Sequence, residues 1–184
     1  MNTAISIGFG NQDSEFYGGK IMNNAITLAS MLNTQIQKEF ESAYIYLGFA
    51  AFFDMKGLSG FAEWYKQQAN EEEEHAMKIY EYLCKVNQPV ELLPIGAPRN
   101  KPETVLQVLN QSLEHEEYVT NLVSALYFQA EKEKNLFAKN FLNWFINEQL
   151  EEEEKARRLI DKYKMFGSTP EGLYALDKEL GARQ

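Results

Sequence analysis

The 184-residue sequence predicts an all-α fold: a four-helix bundle with one long crossover connection and a short fifth C-terminal helix. Three observations predict it. Prolines occur in only two places, with Pro89, Pro94, Pro98 and Pro102 in one window and Pro170 beyond them. Proline lacks an N–H and clashes with the preceding turn, so the intervals 24–87 and 103–169 are free to be helical. Within them, four apolar stripes recur at the α-helical period. The breaks between the stripes are of unequal length, and this sets the topology.

The first helix is expected over 24–54, ending at Lys56-Gly57-Leu58-Ser59-Gly60, and the second over 59–87 with Ser59 as its N-cap. The third is expected over 102–131. A charged stretch, Glu131 to Asn135, separates it from the fourth, which runs over 136–166 with Asn135 as its N-cap. Gly167 marks a C-terminal end, and the fifth helix follows Pro170. Two short breaks make helices one and two, and three and four, antiparallel neighbours. The segment from Asn87 to Lys101, extended at about 3.3 Å per residue, reaches about 46–50 Å. That exceeds the roughly 42 Å of a 28-residue helix, so it can cross the whole bundle.

Composition narrows the function classes. The chain is 45% hydrophobic and 13% aromatic, which argues against disorder, and its mass of 21.2 kDa fits one domain. A net charge of −9 disfavours nucleic acid as a partner and favours cations. The single cysteine, Cys84, excludes an internal disulfide and a cysteine-based metal ribbon. No apolar run reaches membrane-spanning length, so no membrane partner is expected. Residues 1–23, rich in Gly, Asn and Ser, carry no signal pattern and read as a flexible arm before a domain over 24–184. A cytoplasmic location is expected on that ground.

Each stripe is interrupted near its middle by a glutamate. The stripes are Leu28, Leu32, Ile36, Glu39, Ala43, Tyr46, Ala50, Phe53; then Phe61, Tyr65, Gln68, Glu72, His75, Ala76, Ile79, Leu83. The third is Val105, Leu109, Leu113, Glu116, Thr120, Val123, Tyr127, and the fourth Phe141, Phe145, Gln149, Glu152, Ala156, Leu159, Tyr163. Four consecutive acidic residues sweep about 300° of a helix, so the runs 71–74 and 151–154 must turn one side chain inward. Periodicity selects Glu72 and Glu152, leaving Glu73, Glu74, Glu153 and Glu154 toward solvent. Equal axial position puts the four inward carboxylates in one layer. A buried carboxylate is costly unless neutralised, and two divalent metal ions balance four of them. Carboxylates and one imidazole, without thiolate, suit Fe(II), Mn(II) or Zn(II).

Several motifs in order then resemble the ferritins, specifically the non-haem bacterial type, over residues 25–181. They are Glu39 with Tyr46, Glu71-Glu72-x-x-His75, and His115-Glu116. Trp144 with Glu148-Gln149-x-Glu151-Glu152, and the tail from Glu171 to Leu180, complete them. The resemblance implies that Glu39, Glu72 and His75 bind a first iron, and that Glu72 bridges to a second held by Glu116 and Glu152. It gives Gln149 a place lining the second position and Tyr46 the role of a redox-active tyrosine. Glu71, Glu148 and Glu151 are similar to an additional iron site. The implied activity is oxidation of Fe(II) by dioxygen, with Fe(III) passing into a mineral inside a 24-subunit cage. Leu173, Tyr174, Leu176 and Leu180 of helix five would line its four-fold axes.

The departures sharpen this expectation. Glu73 stands where bacterioferritins carry a haem-ligating methionine, so no haem is expected. His115 points about 100° away from its neighbour Glu116 and is expected at a surface or interface rather than as a ligand. The second iron therefore lacks an imidazole and is expected to be loosely held. Two other classes fit less well: a di-iron oxygenase or radical enzyme, and a DNA-protecting mini-ferritin or purely structural bundle.

Overall fold

Thr27, in an extended conformation, opens the first helix of the computed structural model, which describes residues 27–98 and 101–182. The expected N-terminal arm lies outside the described residues. Helix α1, Leu28–Met55, starts four residues later than expected because Thr27 caps it: its hydroxyl accepts from the Ser30 N–H at 3.2 Å. The carboxylate of Glu133, from the far side of the chain, accepts from the Leu28 N–H at 2.8 Å. Helix α2 is Ser59–Lys85, α3 Val105–Lys132, α4 Leu136–Phe166 and α5 Pro170–Gly181.

Caps explain most of these boundaries. Thr104 and Gln107 form a capping box on α3, and Asn135 accepts from the Ala138 N–H at 3.0 Å to open α4, as expected. Ser59 is not the cap of α2. That position is Leu58, which offers no side-chain acceptor, and Asp177 of α5 accepts from the Phe61 N–H at 3.0 Å instead. Three helices end alike. After α1, α2 and α3, residues Gly57, Asn87 and Lys134 take φ of 73°, 55° and 54°, and the next N–H bonds back across the turn. Gly167 caps α4 with an ordinary φ of −77°. Glycine is needed there for space, since a Cβ would lie 2.5 Å from the Tyr163 ring.

Helix α1 packs antiparallel to α2, and α3 antiparallel to α4. The connection from α2 to α3 returns the chain to the end where α2 began, placing Val105 and Val108 with Phe53 and Phe61. Helices α2 and α3 therefore run parallel, as the long crossover requires. The crossover lies along α1: buried Asn33 donates to the Pro89 carbonyl at 3.1 Å and accepts from the Glu91 N–H at 2.8 Å, and Gln37 donates to the Pro94 carbonyl.

The apolar core falls into two halves. One gathers Phe49, Phe53, Phe61, Tyr65 and Leu109, with Leu176 and Leu180 of α5. The other gathers Leu32, Ile36, Ile79, Leu83, Val123 and Leu142. Stripes one and two are buried throughout, as the periodicity predicts. The third is rotated: Val108, Ser112, Val119, Leu126 and Ala130 are buried, while Leu113, Thr120 and Tyr127 are half-buried. Stripe four is buried except at Phe141 and Tyr163, which are half-buried, and it gains Ala138 and Leu142. Leu176 and Leu180 are committed to this subunit's own core, so of the expected axis-lining side chains only Tyr174, 69% exposed, points fully outward.

Candidate metal centre

Between the two apolar halves lies a polar layer made from all four long helices. Glu39 comes from α1, Glu72 and His75 from α2, Glu116 from α3, and Gln149 and Glu152 from α4; each is 5% exposed or less. The helical stripes put these side chains inside, and the similar distance of each glutamate from its helix ends brings them to one depth. Periodicity also predicted their neighbours correctly: Glu73, Glu74 and Glu154 are exposed. Glu153 is the exception, half-buried, accepting from the Thr120 hydroxyl at 2.7 Å and pairing with Arg157 at 2.7 Å.

The tightest group is Glu39, Glu72 and His75, whose ligand atoms lie within 4.8 Å of one another. The spacing Glu72-x-x-His75 brings Nδ1 of the imidazole to 3.3 Å from Glu72 Oε2. Glu39 Oε1 accepts from Gln35 at 2.9 Å, its buried Oε2 meets no N–H donor, and the Glu39 and Glu72 carboxyls lie within hydrogen-bonding reach of each other. Two buried carboxyls this close must share a proton or a cation, and a bound cation would serve both. The donor set is also right in kind: two carboxylates and an imidazole suit a divalent first-row metal.

Across the layer, Glu116 accepts from the Tyr46 hydroxyl at Oε1 and from the Gln149 amide at Oε2, the latter at 3.2 Å. Glu152 accepts from Gln68 at 2.9 Å on Oε2 and from the Lys155 ammonium at 2.6 Å on Oε1. Burial pushes Glu39, Glu72 and Glu116 up to about 8, and neighbouring carboxylate charge adds to this at each. The layer therefore holds protons at neutral pH when it holds no metal, and a dication entering it displaces them.

The remaining expected residues flank the layer. Glu71 and Glu148 are half-buried and Glu151 is exposed, all on the helix turns that carry Glu72 and Glu152. Burial raises the Glu148 carboxyl above its ordinary range. His115 stands apart from the tightest ligand group, as expected, but it is not fully exposed. It is half-buried, its Nε2 lies 2.7 Å from the Ser42 hydroxyl, and its ring meets Tyr46 edge-on at 5.9 Å. Burial pushes it down to about 4, so it is neutral. The rotation of α3 causes this, by turning the His115 side toward α1. Two residues escaped the sequence reading altogether, Gln35 and Lys155. Their signals were an i, i+4 spacing to Glu39 and an i, i+3 spacing to Glu152, visible only once those glutamates are known to be inward.

Among the described residues, no helix is long and apolar enough to cross a membrane. Comparison with known proteins gives a consistent result. The ferritin-like domain pattern matches residues 29–166. A bacterial non-haem ferritin of Staphylococcus saprophyticus is 37% identical over 156 residues, covering 85% of this chain and 93% of that protein. A probable bacterial non-haem ferritin-like protein of Haemophilus influenzae is 32% identical over 84% of this chain and 93% of its own length. Among solved structures, an open-pore ferritin from the archaeon Archaeoglobus fulgidus superposes with a TM-score of 0.84 at 36% identity, covering 88% of this chain and 98% of that one. The four-helix architecture, its fifth helix and these sequence matches agree: the chain belongs to the ferritin family.

Proposed function

We propose that the protein stores iron, oxidising Fe(II) with dioxygen at a dinuclear centre within each subunit and holding Fe(III) as a mineral inside a 24-subunit cage. The observation that carries the reading is the buried trio Glu39, Glu72 and His75, with ligand atoms within 4.8 Å of one another. Iron here is substrate and cargo. The trio holds the first Fe(II), and Glu72 bridges toward a second ion held by Glu116 and Glu152. Two dications neutralise these four carboxylates, and the protons they hold are released as metal binds. Each Fe(II) yields one electron, and the pair reduces one dioxygen to hydrogen peroxide with two protons. Gln149, hydrogen-bonded to Glu116, lines the second position; Tyr46, which donates to the same carboxylate, is placed to give one electron and its phenolic proton in place of an absent second Fe(II), leaving a tyrosyl radical. Glu71, Glu148 and Glu151, flanking the layer, form an additional iron position on the way out. Family membership supports the cage and a cytoplasmic location.

Aerobic addition of Fe(II) to the metal-free protein tests the reading. Glu72→Ala or His75→Ala is expected to slow the fast initial oxidation by at least about tenfold, because a direct ligand matters no less than its supporting residues. The assembled mass should stay near that of 24 subunits of 21.2 kDa, roughly 510 kDa. An unchanged fast phase in Glu72→Ala would discard the proposed centre, and a monomer or dimer would discard the cage.

A further inference from the structure

On α4, Glu152-x-x-Lys155 repeats the spacing of Glu72-x-x-His75 on α2. The side chains also fold back alike: His75 Nδ1 lies 3.3 Å from Glu72 Oε2, and Lys155 Nζ lies 2.6 Å from Glu152 Oε1. Bundles with dinuclear carboxylate centres commonly take Glu-x-x-His from each of two helices; here α4 offers Gln149-x-x-Glu152 at that place, and Lys155 stands one turn beyond it, within reach of Glu152. An ammonium has three donors and no acceptor. It cannot ligate a metal; it can only compete with one for the carboxylate.

The surroundings fit a competitor. Lys155 also stands 3.4 Å from Glu71 Oε2, reaching the flanking carboxylate nearest to it. The other oxygen of Glu152 accepts from Gln68, so both Glu152 oxygens are engaged, whereas the partners of Glu39 are the neutral Gln35 amide and the Glu72 carboxyl. One half of the layer is open to a cation and the other half already has one. The Lys155 side chain is 26% exposed and borders a groove of about 500 Å³ that Trp64 of α2, Arg158 of α4 and Glu179 of α5 also line. Its flexible four-carbon stem can swing the charge into that groove while α4 stays in place.

We propose that Lys155 is the resident cation of the second iron's half of the centre, clamping Glu152 and Glu71 until a metal ion displaces it. The first position then fills ahead of the second, and the second ion is held weakly because each binding event must expel an ammonium. This inference rests on the reading of Glu116 and Glu152 as ligands of the second ion.

Titration calorimetry of the assembled, metal-free protein with Zn(II), which undergoes no redox step, tests it. With the flanking position removed by Glu148→Ala and Glu151→Ala in every protein compared, the form otherwise wild type should show a tighter and a weaker event per subunit. Removing the competing charge in Lys155→Met should tighten the weaker event by about tenfold or more, with the tighter event changed less than about twofold. Lys155→Gln should move it the same way, so that a packing fault peculiar to methionine cannot imitate the result. A weaker event unchanged in both lysine variants, yet lost in Glu152→Ala, overturns the role of Lys155 alone. A weaker event that survives Glu152→Ala, or is absent from the otherwise wild-type form, overturns the second-iron assignment beneath it.

Discussion

A buried carboxylate has few ways to be tolerated, and the four glutamates use different ones. Glu116 takes a phenol and an amide, Glu152 an amide and an ammonium, while Glu39 takes an amide and pairs with the Glu72 carboxyl. The raised carboxyls make stability depend on pH in a defined direction. Glu39, Glu72 and Glu116 titrate near 4.5 when unfolded and at about 8 when buried. Across that interval the native state holds protons that the unfolded chain has lost, so the metal-free protein should lose stability as pH rises. A thermal midpoint that falls from pH 5 to pH 8 without metal, and falls less with Zn(II), is the expected outcome. A midpoint rising over that range would show that the carboxyls are not held neutral. At this scale the glutamates and His75 were legible because a single inward acid in an apolar stripe stands out. Lys155 was not, because a lysine after an acidic run looks like an ordinary solvated residue.

At the scale of elements, the helix ends hold the layer in register, since each glutamate's depth is counted from its helix's start. The α3–α4 turn is as short as the α1–α2 turn but uses no glycine: Lys134 takes a left-handed φ of 54°, and Asn135 then opens α4 at once. A side chain in that conformation is strained against its own backbone, whereas glycine is not. Lys134→Gly should stabilise the metal-free protein by about 0.5–1 kcal/mol, after allowing for glycine's greater freedom when unfolded. A higher denaturation midpoint with unchanged slope is the measurement. Sequence signals located these breaks through Pro, Gly and Asn. They placed the start of α2 at residue 59 correctly but named the wrong cap, because the acceptor for its first turn is Asp177, 116 residues away. No local pattern around Ser59 contains that information.

For the whole molecule, the fifth helix closes one end of the bundle. It docks where α2 begins, and Gly60 permits the approach: a Cβ there would lie 1.7 Å from the Asp177 carbonyl oxygen. That is backbone, so nothing can rotate aside. Gly60→Ala should push α5 outward, uncover Leu176 and Leu180, and cost about 1–3 kcal/mol. Limited proteolysis should cut the 167–182 segment faster in the variant. Equal cutting rates would show that α5 is held by its other contacts alone. The division of the core into two apolar halves also belongs to this scale. Each half is continuous across the helices, so the polar layer between them is supported from above and below.

The sequence by itself determined the helix count, the crossover and the identity of the inward glutamates. Helical period and proline exclusion are local rules, and the cost of burying charge turns an interrupted stripe into a metal hypothesis. Only the tertiary structure decided the partners. It rotated α3 so that His115 meets Ser42 and Tyr46, committed Leu176 and Leu180 to their own subunit, and laid Lys155 across Glu152 and Glu71. Those outcomes depend on how one helix turns against another, and a helix's own sequence does not fix that angle. The open half of the centre could be read from the sequence; the occupied half required the packing.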